Sequence, residues 1–303
     1  MKISGLQSDD LRLQPLYKEI EESLTKNLYQ AETTISNLKD LAESHQGLIL
    51  EDSTTVYAFI LFQIREPVCF IEFAFASEQT DKQNFLFYLI KNLVDLCRQD
   101  GQILSIRCDF IPWFGTELQS ALVAAGFQHC PRLLLRAELP YQKELDLSPD
   151  LEFLLWTPKF NSRAAKMLKQ IFANSEESKW DPSITTEAGC QRFLAATYGG
   201  RFGIFDPNCS FLLKYKKKEA GLALCTWDHE GNGFIASFGI MPHFSGLGLG
   251  GKLLSKIMDN FSQALAPALE LAVSEGNIAA MRLYASHDFK AIDRTSLYYL
   301  ELY

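Results

Sequence analysis

Ile240-Met241-Pro242-His243-Phe244-Ser245-Gly246-Leu247-Gly248-Leu249-Gly250-Gly251-Lys252-Leu253-Leu254 is the stretch on which the rest of the chain turns. An apolar run of strand composition, Phe234 to Ile240, leads into it. Four glycines then fall within six residues, 246–251. Beyond them Leu253, Leu254, Ile257, Met258, Phe261 and Leu265 recur at helical spacing, which predicts a helix over 252–265. The first-turn N–H groups of such a helix have no intrahelical partner, and the dipole end there is positive. Glycines let that backbone approach a bulky anion closely, so the junction suits a pyrophosphate. No Gly-Lys-Ser/Thr closes the loop, so it is not a P-loop. A dinucleotide fingerprint would sit in the first βαβ unit with an acid about 20 residues on, whereas this loop comes late. Taken alone, the stretch also reads as an ordinary tight turn between strand and helix.

A second run narrows the choice. Leu271-Ala272-Val273-Ser274-Glu275-Gly276-Asn277-Ile278-Ala279-Ala280-Met281-Arg282-Leu283-Tyr284-Ala285-Ser286-His287-Asp288-Phe289 reads as a strand, an Asn and a helix ending near Leu-Tyr. The glycine loop resembles motif A of the GNAT N-acetyltransferase superfamily, Arg/Gln-x-x-Gly-x-Gly/Ala after a strand. Ile240-Met241-Pro242 fits the strand end, and Gly248 and Gly250 fit the two small positions. The second run resembles the family's motif B. The resemblance covers residues 151–303, with two departures: Ser245 stands for the usual Arg or Gln, and Asp288-Phe289 for a closing Gly-Phe.

Composition sets outer bounds. The 303 residues suffice for two domains, and 47% hydrophobic with 22% charged is ordinary globular usage. A net charge of −8 argues against a broad nucleic-acid surface. No apolar run reaches the roughly 20 residues of a membrane span. Residues 1–10 hold no apolar core of a signal peptide. The seven cysteines, Cys69, Cys97, Cys108, Cys130, Cys190, Cys209 and Cys225, are scattered among apolar neighbours without a Cys-x-x-Cys pair. They read as free thiols of a cytoplasmic protein, with no metal site.

In order, helices are expected at 11–28 and 35–44, strands at 47–50, 56–64 and 68–76, and a helix at 84–98 stopped by Gly101. A strand at 103–110, a helix at 114–125 and a strand at 133–139 follow. After a polar linker the order broadly repeats: strand 151–156, helices 163–172 and 185–196, strands 210–215, 220–227 and 234–240, the loop and its helix, strand 269–273, helix 278–286 and strand 297–302. Lys216-Lys217-Lys218 reads as a solvated hairpin turn. Leu122-Val123-Ala124-Ala125-Gly126-Phe127 mirrors Leu283 to Phe289. The chain is therefore expected to be an internal duplication. It would have α/β class (α+β mixed sheet) and two tandem domains, each a mostly antiparallel sheet flanked by helices. The first, 1–140, resembles a degenerate GNAT module; 141–150 is the linker and 151–303 the cofactor-binding domain. The counterpart of the glycine loop in the first half, 76–84, has no glycine and two acids, Glu78 and Asp81, which repel a pyrophosphate.

Acetyl transfer to an amine needs an oriented thioester, a donor for its carbonyl oxygen, a base for the amine and an acid for the thiolate. The resemblance implies acetyl-CoA as cofactor, with Gly239 and Ile240 supplying backbone groups to the pantetheine. Ser245, Gly246, Leu247, Gly248, Leu249, Gly250 and Gly251 would hold the pyrophosphate. Asn277 would cap its helix beside the cofactor, and capping alone also accounts for an Asn there. Tyr284 is the implied general acid, against a plain core role for the ring. The strand before the loop, Phe234 to Phe238, offers no acid. Asp228, His229 and Glu230 read as a solvated turn beside Gly231-Asn232-Gly233; Ser237 with a water chain and His243 are further candidates for the base. Trp113, Phe114, Trp180 and Trp227 are possible pocket aromatics, with packing the plainer assignment. The expected reaction is acetyl transfer to a primary amine of a small molecule or peptide, with no nucleic acid or membrane partner. The alternatives are an acyltransferase with another acyl donor and an acyl-CoA-binding sensor without turnover.

Overall fold

The computed structural model describes residues 1–25, 42–43, 46–108, 116–141, 148–175, 177–178 and 182–302. The helix expected at 35–44 falls almost wholly outside them, as do Trp113, Phe114, Trp180 and most of the linker expected at 141–150. The chain divides into two compact units, Met1–Cys130 with Thr295–Tyr303, and Pro131–Arg294.

The first unit contains β1 (Lys2–Gly5), a 3-10 turn running into α1 (Gln14–Thr25), β2 (Gln46–Glu51), β3 (Val56–Arg65), β4 (Val68–Ala76), α2 (Lys82–Asp100), β5 (Ser105–Cys108) and α3 (Thr116–Ala124). Strand β6 (Gln128–Glu138) begins at its end. The second unit takes the rest of β6, then β7 (Leu151–Leu155), α4 (Asn161–Phe172), α5 (Glu187–Tyr198), β8 (Ile204–Phe205), β9 (Phe211–Tyr215), β10 (Lys218–Trp227), β11 (Gly233–Ile240), α6 (Leu249–Gln263), β12 (Ala268–Ser274), α7 (Ile278–Ala285) and the start of β13 (Lys290–Glu301).

In the first unit the strands run β1-β2-β3-β4-β5-β13. All neighbours are antiparallel except the parallel pair β4 and β5. Alternation along β3 sends Ala58, Ile60 and Phe62 to a core shared with Leu89, Ile90 and Leu93 of α2. Phe59 and Leu61 go to the opposite core, with Leu16 and Ile20 of α1. Gly101 ends α2 at φ 66, the left-handed conformation that closes helices.

The second unit repeats the plan: β6-β12-β11-β10-β9-β7, with β8 on β10 and only β11 and β12 parallel. Ala223 and Cys225 face a core with Leu253, Leu254, Ile257 and Phe261 of α6. Leu222 and Leu224 face one with Ala164, Ala165 and Leu168 of α4 and Leu194 of α5. Lys216 and Lys217, at φ 49 and 63, form the two-residue turn between β9 and β10, as the sequence suggested.

The division differs from the expected one. The cut falls at 130/131 rather than 140, and the last nine residues leave the second half. β6 pairs along β12, Ala268 with Glu138 through Ser274 with Arg132. The end of β13 pairs with β5, Tyr298 with Cys108 through Glu301 with Ser105. Each unit is thus completed by the last strand of the other half of the chain. Several elements differ from the expectation. Strands β1 and β8 are too short to show a pattern and were missed, β6 starts at Gln128 rather than 133, β13 starts at Lys290, where its first five residues are all exposed, and α6 starts at Leu249 rather than Lys252.

Candidate active site

β11 and β12 pair only over Gly233–Ile235 and Leu269–Leu271, after which the strands part. β11 continues to Ile240, held on its other edge by β10. The N–H of Met241 donates to the Ala220 carbonyl at 2.8 Å, towards β10. Alternation therefore turns the N–H of Ile240 and of Phe238 into the gap, and that of Gly239 away from it. Gly239 has a different reason to be small: a Cβ there would come within 2.3 Å of Ile171 on α4.

The chain then makes one 3-10 turn, with the Ser245 N–H donating to the Pro242 carbonyl at 3.1 Å. Gly246 and Gly248 follow at φ 79 and 71, where a side chain is strained. A Cβ on either would meet nothing within 4 Å, so both border open space. Gly248 is the N-cap of α6, without a side-chain cap. Among the described residues the amides of 246–251 donate no backbone hydrogen bond; Lys252 is the first to do so, to the Gly248 carbonyl at 3.3 Å. Ser245, Gly246, Leu247 and Gly248 are exposed. A run of open donors at a helix N-terminus, with no side chain over it, fits the diphosphate of a coenzyme A ester. Gly250 and Gly251 instead allow close packing: their Cβ atoms would lie 3.3 Å from Leu283 and 3.5 Å from His287.

Across the gap, Asn277 caps α7 by accepting the Ala280 N–H at 3.2 Å. Its amide nitrogen donates to Glu177 Oε1 at 3.3 Å. Two turns on, Tyr284 is buried with its ring 6.3 Å from Phe238 and 5.6 Å from Phe289. Burial pushes its phenol well above the ordinary tyrosine range, the negative charge of Glu177 adds to this and Arg132 opposes it. The hydroxyl therefore stays protonated at any physiological pH. Glu177 was not singled out from sequence, since a single Glu between two helices carries no pattern.

The other sequence candidates do not join this group. Asp228 spends its carboxylate on its own turn, accepting the Glu230 and Asn232 N–H groups at 2.8 Å each. His229 and Glu230 are exposed side chains of that turn. His243 lies exposed against the neighbouring Phe244. Ser237 shares the α4 face of β11 with Gly239, whereas Tyr284 packs on the face of Phe238. Trp227 packs on Phe261 and donates to Asp206 at 2.7 Å, a core role. All seven cysteines are buried thiols. Among the described residues no three or more His, Cys, Asp or Glu are placed to hold a metal ion, and no helix is long and apolar enough to cross a membrane.

The same junction in the first unit is closed by its own acids. Glu19 accepts the Glu78 N–H at 2.8 Å and the Ser77 hydroxyl at 2.8 Å. Asp81 caps α2 by accepting the Asn84 N–H at 3.3 Å. Donors left open in the second unit are here occupied by carboxylates. The helix ends correspond as well: the Phe127 N–H bonds the Leu122 carbonyl and the Phe289 N–H the Tyr284 carbonyl. Leu122 thus answers to Tyr284, one residue off the register read from sequence, and the first unit has no phenol there.

Comparison with known proteins agrees. Residues 166–289 match the model of the acetyltransferase (GNAT) family. No curated protein matches the chain. Among solved structures, a GCN5-related N-acetyltransferase from Sphaerobacter thermophilus aligns over 99% of this chain and 95% of its own, at 15% identity and TM-score 0.68. A tandem GNAT protein from the clavulanic acid biosynthesis pathway aligns over 100% and 98%, at 11% identity and TM-score 0.58. At such identities the likeness is one of fold. Residues 166–289 thus match the GNAT acetyltransferase family, and the chain as a whole shares the fold of those solved acetyltransferase structures.

Proposed function

We propose that this protein transfers an acetyl group from acetyl-CoA to a primary amine, at one site in the second unit. The observation that carries the reading is the junction of β11 and α6, where open helix-terminal amides stand beside the gap between two parting strands. In this reading the amides of residues 246–251 hold the diphosphate. The N–H of Ile240 faces the thioester oxygen, whose charge grows as the amine attacks. Tyr284 gives its proton to the departing sulfur. The acceptor is an amine of a small molecule or peptide, the setting is cytoplasmic, and neither nucleic acid nor membrane takes part. A sensor that binds acyl-CoA without turnover is the second reading, favoured by the absence of an acid on 234–240. Titration calorimetry of acetyl-CoA against wild type and Gly248→Glu tests the site, followed by coenzyme A release with a panel of amines. One binding site lost in the variant, with turnover on an amine, is the expected result. No binding to wild type would sink both readings, and binding without turnover would leave the sensor.

A further inference from the structure

His287 lies behind the cofactor loop, just past the C-terminus of α7, the dipole end that favours a cation. A Cβ on Gly251, in the first turn of α6, would stand 3.5 Å from its Cε1. The residue is 8% exposed. Its Nδ1 is 3.0 Å from the Leu283 carbonyl, which only accepts, so that nitrogen carries a hydrogen. Ser286 Oγ, also 3.0 Å from Nδ1, gives its own hydrogen to the same carbonyl. Nε2 is 3.2 Å from the Ser255 hydroxyl, which accepts from a charged ring and donates to a neutral one. With the ring charged, Ser255 turns its hydrogen to the Tyr141 hydroxyl at 3.3 Å. The Tyr141 ring stacks on the imidazole at 5.9 Å and 15°, and the face of an aromatic ring attracts a cation. These contacts come from α6, α7 and the chain after β6, and Tyr141 is the one titratable group among them. The set accommodates an imidazolium without an orphaned hydrogen.

We infer that His287, in its charged form, is the cation of the cofactor site, set behind the first turn of α6 and strengthening that turn's hold on a diphosphate. The inference rests on the acetyl-CoA reading. Residues 239–251 contain no Lys or Arg, so the loop itself sets no fixed full charge against the diphosphate. The helix terminus answers the anion with partial charges only. A full charge behind it, shielded from solvent, adds an attraction that water and salt screen weakly. Linkage fixes the sign. The bound anion favours the imidazolium, so binding takes up protons and tightens as pH falls through the range in which imidazoles titrate. In the neutral ring Nε2 accepts from Ser255 and the contacts persist, so losing the charge weakens the hold without unmaking the cradle. His287 thus acts through α6 as a positioning residue, without touching the cofactor.

The test is calorimetry of acetyl-CoA from about pH 8.5 to about pH 6 on full-chain wild type, His287→Gln and His243→Gln. Gln keeps a donor for Leu283 and an acceptor for Ser255 but carries no charge. The ratio of variant to wild-type dissociation constants cancels the titration of the ligand's own 3′-phosphate. For His287→Gln that ratio should be near one at the alkaline end and rise to about five at the acid end. For His243→Gln it should stay flat, because that ring is exposed. If a thermal melt shows that His287→Gln does not fold, the 3′-dephospho form of acetyl-CoA decides, since its diphosphate keeps its charge over this range. Titrated near pH 7 in two buffers of different ionisation enthalpy, wild type and His243→Gln should both take up protons on binding it. A flat ratio in His287→Gln, a rising one in His243→Gln, or binding without proton uptake would overturn the role of His287 while leaving the cofactor site standing. Absence of acetyl-CoA binding to wild type at every pH overturns the cofactor site itself, and this assignment with it.

Discussion

Tyr284→Phe removes one oxygen from a ring packed between Phe238 and Phe289 and leaves that packing in place. Steady-state kinetics should show kcat down by about 10²-fold or more, with acetyl-CoA affinity unchanged; an unchanged kcat would end the role of general acid. Burial raises the phenol's pKa in the folded state above its unfolded value of about 10. Its contribution is therefore complete below pH 10 and lost as pH climbs beyond, so thermal melts should fall on the alkaline side, less so in Tyr284→Phe. Asn277→Asp separates the two jobs of that side chain. Asp caps a helix as well as Asn does, so the helix should persist, while loss of the donor to Glu177 should lower stability by about 1–3 kcal/mol. The new carboxylate would face Glu177 instead of donating to it, and turnover at pH 7 should drop at least about tenfold. At this scale the sequence was legible where local backbone chemistry fixed the position: Asn277 was expected to cap its helix and does. Even Asp288 has its reason: at φ 63 it occupies the left-handed position where relatives place Gly, and Asp is among the few side chains that tolerate it. Glu177 was illegible because its meaning lies in a contact spanning a hundred residues.

The end of α6 carries a defect that its beginning lacks. Leu265, 88% exposed at φ 62, occupies the position after the helix where glycine usually sits, with the Ala266 N–H bonded back to the Phe261 carbonyl. Leu265→Gly should stabilise the protein by about 1 kcal/mol, read as a higher denaturant midpoint at unchanged slope. At the other end, Gly248 also has positive φ, so Gly248→Ala should destabilise by about 1 kcal/mol and weaken acetyl-CoA binding even though its methyl meets nothing. Elements with a strong period were readable: β4 was expected at 68–76 and found there. The first turn of α6 was not, because Gly250 and Gly251 are poor helix formers whose place is set by packing on Leu283 and His287. The exposed opening of β13 escaped for the opposite reason, since Lys290 to Arg294 bury no face whose alternation could be seen.

The duplication was readable from the order of elements; the exchange of last strands was not. β6 and β13 hold the same place in their halves, and each fits an antiparallel slot beside the second strand of a parallel pair, β12 or β5. Alternation announces a strand but not its partner, so chain order suggested a cut after residue 140 that would take β6 from the unit it completes. The consequence can be tested by truncation. A fragment 151–303 lacks Leu135 and Ala137, both buried in the core of the second unit, and exposes the edge of β12 along seven residues. It also carries Leu297, Tyr298, Tyr299 and Leu302, buried in the whole chain, with no β5 to receive them. Each large apolar side chain stranded in this way forfeits about 2 kcal/mol, which a domain of this size cannot spare several times over. An open strand edge adds a template for aggregation. A fragment 131–294 keeps β6 on β12 and every buried residue of the second unit's core. It should be the more soluble of the two, melt cooperatively and bind acetyl-CoA, whereas 151–303 should aggregate or melt without a transition. Equal stability of the two fragments would show that the exchanged strands are dispensable and that the boundary lies where chain order first put it.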